Sequence, residues 1–86
     1  METENKAGKS VTIIVNTLPK PWDEKDISYK QAIVLAFGSY SDDPKITYTV
    51  EYFKGEKEKH EGSLTKGESV KVKDGMVFNV TKTDQS

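Results

Sequence analysis

The chain has 86 residues, with 13 basic against 14 acidic side chains and a formal charge of -1. That is one small domain with a thin core, and the lack of a basic excess speaks against a nucleic-acid partner. There is no cysteine and one histidine, His60, which removes disulfides and thiol catalysis and leaves no ligand set for a transition metal. No apolar run approaches the length of a membrane span, and Met1 to Lys9 lacks the hydrophobic stretch of a secretory signal. A cytoplasmic monomer is the expectation.

Residues 1–9 are polar and expected to be disordered. Val11 to Asn16 reads as the first strand, with Val11, Ile13 and Val15 on one face and Thr12, Ile14 and Asn16 on the other. Asn16 to Pro21 is turn-rich, and its two prolines cannot donate to a ladder. A short second strand is expected near Pro21 to Glu24, with Trp22 as a lid on the core. The only helix opens at Ser28, a good N-cap, with Gln31 completing a capping box and Ile27 acting as a staple. It is expected to reach Phe37 and stop at Gly38. Tyr29, Ala32, Ile33, Ala36 and Phe37 form its buried stripe. Val34 and Leu35 lie beyond that stripe, and either widen the buried face or leave a small apolar flank in solvent.

Ser39 to Pro44 reads as a loop in which Asp42 and Asp43 are a solvated acidic pair. Ile46 to Phe53 is the clearest strand: Ile46, Tyr48, Val50 and Tyr52 face the core, and Thr47, Thr49, Glu51 and Phe53 face out. A turn over Lys54 to Lys57 leads into a charged edge strand at Glu58 to Gly62. Leu64 is expected to plug one end of the core, and Val70 to Val72 to be a short extended piece. Asp74-Gly75 is a turn signal. The strand Met76 to Thr81 follows, with Met76, Phe78 and Val80 on one face and Val77, Asn79 and Thr81 on the other. Lys82, Thr83, Asp84, Gln85 and Ser86 are all polar and read as a flexible tail.

One amphipathic helix with four or five strands makes a two-layer α+β domain. The helix covers one sheet face and the other stays wet. The crossover through the helix can place the first and last strands side by side and parallel, which is the β-grasp layout. A small OB or SH3-like barrel is the alternative, and the clean helix between the second and third strands argues against the SH3-like form. The expected core is Val11, Ile13, Val15, Trp22, Ile33, Phe37, Val50, Leu64, Phe78 and Val80. The wet face is expected to show Ile14 beside Val77, with Thr12, Thr49 and Asn79 around them. No catalytic constellation, phosphate-cradling glycine loop or cofactor motif is present in the sequence, so the chain does not read as an enzyme.

Several stretches carry a resemblance. Val11 to Asn16, Ile27-Ser28-Tyr29, Leu35-Ala36-Phe37, Tyr48-Thr49-Val50, Glu61 to Leu64, Gly67 to Val72, Asp74 to Thr81 and the closing Thr83-Asp84 together resemble the prokaryotic multiubiquitin family of ubiquitin-like domains. The last block is the most specific. The resemblance implies a β-grasp domain over residues 10–81, followed by a tail over 82–86. It also implies a protein modifier handled by an E1-like adenylating enzyme, an E2-like enzyme and a processing peptidase, and joined to protein targets. On that reading Lys82 to Ser86 form the conjugation tail, while Ile14, Val77, Thr49 and Asn79 form the patch that meets the activating enzyme. Family members often carry several domains in tandem, whereas this sequence holds one. Ubiquitin ends in two glycines, which pass a narrow channel because they lack side chains; Gln85 and Ser86 would need a wider one. The same lack of a glycine pair disfavours a sulfur carrier. A non-conjugated β-grasp interaction module is the alternative function.

Overall fold

A computed structural model describes residues 10–55 and 60–84. The elements are β1 (Val11–Val15), β2 (Leu18–Trp22), β3 (Asp26–Ser28), α1 (Tyr29–Phe37), β4 (Ile46–Phe53), β5 (Gly62–Leu64), β6 (Ser69–Lys71) and β7 (Val77–Asp84). Five strands form one mixed sheet in the order β2-β1-β7-β4-β5. β1 runs parallel to β7, with Ile14 opposite Val77 and Val15 opposite Phe78, and the other neighbours are antiparallel. α1 packs on one face of this sheet, against β1, β4 and β7. The expected α+β β-grasp architecture is therefore what the chain adopts.

Local chemistry sets the element ends. Ser28 Oγ accepts from the Gln31 N–H at 3.1 Å and Gln31 Oε1 accepts from the Ser28 N–H at 2.9 Å, which closes the capping box. Gly38 takes φ 82°, and its N–H donates to the Val34 carbonyl. β1 and β2 are joined by Asn16 and Thr17, which both have positive φ, 51° and 72°. That is the backbone of a two-residue type I′ hairpin turn. Asn tolerates this region, but a β-branched residue does not. Thr17→Gly should therefore raise unfolding stability by about 1 kcal/mol, because the strain relieved exceeds the added chain entropy of glycine. Thermal melts of the two proteins check this; an unchanged or lower midpoint would show that Thr17 is not strained.

The core lies between α1 and the sheet. Ile13, Val15, Ile27, Ala32, Ile33, Val50, Met76 and Phe78 are essentially sealed from solvent. Tyr29, Tyr48, Tyr52, Leu64, Val70 and Val80 complete it. Three residues expected there sit differently. Val11 and Trp22 are only half-buried against its edge, because β2 is the last strand of the sheet and no described element closes over that side. Phe37 is 41 % exposed, because α1 ends at this residue and its ring reaches past the covered part of the sheet. Val34 and Leu35 divide between the two options: Val34 is exposed and Leu35 packs against the core.

Other differences follow from pairing that is remote in sequence. The second strand is Leu18–Trp22, not a segment near Pro21 to Glu24, because the two-residue turn brings the chain back at once. β3 and β6 form a small second sheet, with Ile27 opposite Val70, and this pair seals the end of the core beside the helix start. The charged edge strand expected at Glu58 to Gly62 falls partly on residues 56–59, outside the described residues. Among those described, the strand is Gly62–Leu64, with Leu64 buried opposite Val50. The disordered segment expected at residues 1–9 also lies outside the described residues.

The largest correction concerns the tail. Lys82, Thr83 and Asp84 belong to β7 and pair with Tyr48, Thr47 and Ile46 of β4. Polarity there means only that no core lies beneath; ladder pairing needs backbone groups, and β4 supplies them. The free tail expected from Lys82 is thus not free as far as Asp84. Gln85 and Ser86 lie outside the described residues.

Candidate interaction face and chain exit

Strand alternation and register together define the sheet face away from the helix. Ile14 lies opposite Pro19 on one side and Val77 on the other, and Val77 lies opposite Phe53. Paired residues share a face, so Pro19, Ile14, Val77 and Phe53 make one apolar row across β2, β1, β7 and β4. Ile14, Val77 and Phe53 are half-buried and Pro19 is exposed. Thr49 and Asn79 are exposed on the same face, opposite Thr81 and Glu51 respectively. The sequence thus brought Ile14 and Val77 together correctly, with Thr49 and Asn79 further along the two central strands. Phe53 and Pro19 were missed as members of the row. Phe53 was legible as an outward residue, but its alignment with Val77 depends on the β4–β7 register.

A loop and a side chain fix β7 in this register. Asp74 Oδ1 accepts from the Thr12 N–H at 2.9 Å, and the Gly75 N–H donates to the Thr12 carbonyl at 2.7 Å. Further on, β1 has turned away into the hairpin. There Asn16 acts in place of a strand: its Nδ2 donates to the Val80 carbonyl at 2.9 Å, and its Oδ1 accepts from the Val80 N–H at 2.7 Å. The amide thereby satisfies both backbone groups of Val80 that face β1.

Past Val80, β7 stays paired with β4 as far as Asp84 opposite Ile46. The helix-side face of this pair is aromatic. Phe37 and Tyr48 lie with ring centroids 6.2 Å apart, Tyr40 stacks on Tyr48 at 5.3 Å, and Tyr29 meets Tyr40 edge-on at 6.2 Å. Lys82 Nζ lies 6.0 Å from the Phe37 ring centre and Lys30 Nζ 5.6 Å from that of Tyr40, within the range of a cation–π attraction. Burial, and then the neighbouring Tyr40 and Tyr48, push the Tyr29 phenol above its ordinary pKa, so this hydroxyl stays protonated at neutral pH. Among the described residues no cluster of His, Cys, Asp and Glu is arranged to hold a metal. No helix among them is long and apolar enough to cross a membrane.

A family model described as multiubiquitin matches residues 11–84, the stretch that holds the parallel β1–β7 pair and the covering helix. The chain belongs to the multiubiquitin family. That match spans β1 through the end of β7, and so includes Lys82 to Asp84 within the multiubiquitin domain. No curated protein and no solved structure gives a match. The multiubiquitin domain presents two features on one strand: Val77 in the apolar row at the start of β7, and the chain exit at its end.

Proposed function

We propose that this domain is a protein modifier, activated at its C-terminal carboxylate by an E1-like adenylating enzyme and passed through an E2-like enzyme to protein targets. A processing peptidase sets the mature end or releases the modifier, and the protein works as a cytoplasmic monomer with no catalytic chemistry of its own. The observation that carries this reading is the shared strand. An enzyme that docks on the Ile14–Val77–Phe53 row finds the residues leaving Asp84 roughly 23 Å away along β7, at about 3.3 Å per residue. In the activation step the carboxylate attacks the α-phosphate of ATP and pyrophosphate leaves. A nucleophile of the E1-like or E2-like enzyme attacks the carbonyl of the resulting acyl adenylate and expels AMP, and a target amine or hydroxyl then attacks the same carbonyl and displaces that nucleophile.

The contribution of the row is tested with Val77→Lys. Val77 is half-buried and faces away from the core, so the fold should persist, with a melting temperature within a few degrees of the parent. Binding to the E1-like enzyme should weaken at least about tenfold, because an ammonium would have to lose water at an apolar contact. Equal affinity by calorimetry would remove this face from the mechanism. The terminus is tested by incubating the intact chain, and a chain lacking residues 83–86, with the E1-like and E2-like enzymes and ATP. The intact chain should form covalent adducts and the shortened one should not.

A second reading is a non-conjugated interaction module. It is favoured by the pairing of Lys82 to Asp84 with β4, which makes this segment part of the sheet. Absence of adducts from the intact chain as well as the shortened one, with binding to the E1-like enzyme retained, would support that module.

A further inference from the structure

The two outer edges of the sheet differ in what they offer. In β1, the Ile14 and Asn16 N–H groups point to β7, so Val11, Ile13 and Val15 direct their backbone groups to β2. Their partners there are Trp22, Lys20 and Leu18. Backbone direction alternates along a strand, so Pro19 and Pro21 are the β2 residues turned to the open edge, and neither has an N–H. That edge is closed to strand addition by composition.

The β4 edge is different. Phe78 and Val80 direct their backbone groups to β1 and Asn16, so the alternate residues of β7 bond β4 through Thr47, Thr49, Glu51 and Phe53. The remaining β4 residues point outward. Val50 and Tyr52 meet β5 there, opposite Leu64 and Gly62. β5 then leaves the sheet: Thr65 to Glu68 close a turn, through the Glu68 N–H to the Thr65 carbonyl and the Thr65 N–H to Glu68 Oε1. Tyr48 therefore directs its N–H and C=O to a side where no described strand lies. A cleft of about 490 Å³ lies beside Tyr48, and its lining includes Tyr29, Tyr40, Asp42, Asp43 and Lys66. The Tyr48 hydroxyl accepts from the Ser41 N–H at 3.0 Å and so holds the acidic loop beside the strand edge.

We propose that this cleft takes an extended peptide segment of a partner protein, which adds to β4 beside Tyr48 in the line that β5 vacates and lays a lysine or arginine side chain between Asp42, Asp43 and the tyrosine rings. Main-chain bonds to Tyr48 supply the pairing, and alternate side chains of the peptide enter the cleft. The charge preference follows from two carboxylates against one ammonium in the lining. The site lies on the opposite sheet face from the Ile14–Val77–Phe53 row, so it is independent of the modifier reading.

The test titrates the isotope-labelled domain with synthetic six-residue peptides at low salt, read by amide chemical shifts. The basic peptide alternates lysine with valine, a second replaces lysine with glutamate, and a third is the basic peptide with alternate backbone amides methylated. The expected result is that the basic peptide shifts Ser41, Tyr48, Thr49, Leu64 and Thr65, while the other two bind at least tenfold more weakly. Asp42→Lys changes only an exposed loop residue and should weaken the basic peptide by a similar factor while leaving the rest of the spectrum in place. Four results would overturn the proposal: no shifts with the basic peptide at millimolar concentration, equal binding of the acidic peptide, equal binding of the methylated one, or cleft shifts that arise from self-association before any peptide is added.

Discussion

Phe78→Ala should remove about 3–5 kcal/mol of unfolding stability, most of what a domain this small holds. The phenyl ring is fully buried at the second residue of β7, opposite Val15 on β1 and Tyr52 on β4. Its centroid is 6.3 Å from that of Tyr52. Both neighbouring strands are held by the sheet and α1 lies across them, so the space cannot collapse, and the loss adds a cavity term to the lost burial. Urea unfolding followed by tryptophan fluorescence measures it, with Trp22 as the only indole. A variant with the parent's midpoint would mean that the facing of β7 is wrong. The comparison with Val77→Lys sharpens the test. The two residues are adjacent, yet one faces the core and the other the wet face, so the first should cost most of the stability and the second little.

Asn16→Ala should cost about 2–3 kcal/mol. The loss combines two hydrogen bonds, at about 0.5–1.5 kcal/mol each, with backbone groups of Val80 left without partners. Part of any alanine effect comes from its poor fit to a φ of 51° at this turn. Asn16→Gly separates the two causes, since glycine accepts that backbone but has no amide to pair. The Val80 N–H should then exchange with solvent about ten to a hundred times faster than in the parent, while the Val50 N–H in the same sheet changes less. Unchanged exchange at Val80 in the glycine variant would show that the side chain does not hold β7. With this clamp gone, β7 loses the Asn16 contact that holds Val80 on the β1 side.

The parts legible in the sequence are those decided locally. Alternation in Ile46 to Phe53 and the capping box at Ser28 and Gln31 each lie within one element, and both stand as read. The parallel placement of β1 and β7, and with it the contact of Ile14 and Val77, followed from counting one helix and one crossover. What was missed depends on partners far away in sequence. β3 and β6 are three-residue strands too short to show a period, and only their mutual pairing makes them strands. Lys82 to Asp84 read as a tail because polarity signals the absence of a core, yet Ile46, Thr47 and Tyr48 bind them through backbone alone. Asn16 read both as the last residue of the first strand and as the start of a turn-rich stretch; β1 ends at Val15 and Asn16 is a turn residue, and its second role exists only because β7 passes beside the turn. Tyr40 lay in a segment read as loop, and Phe37 in the helical stripe, so neither announced the aromatic cluster of Tyr29, Phe37, Tyr40 and Tyr48.

On the proposed function, this multiubiquitin domain is joined to other proteins through its C-terminal carboxylate. Mass spectrometry of the protein purified under denaturing conditions from cells that make it tests this most directly. Proteolysis should yield branched peptides in which the chain's terminal carbonyl is bonded to a lysine amine or a serine or threonine hydroxyl of another protein, and these should disappear when the E1-like enzyme is removed. Recovery of the free chain alone, with the E1-like enzyme present and active, would contradict the claim and leave the interaction module in its place.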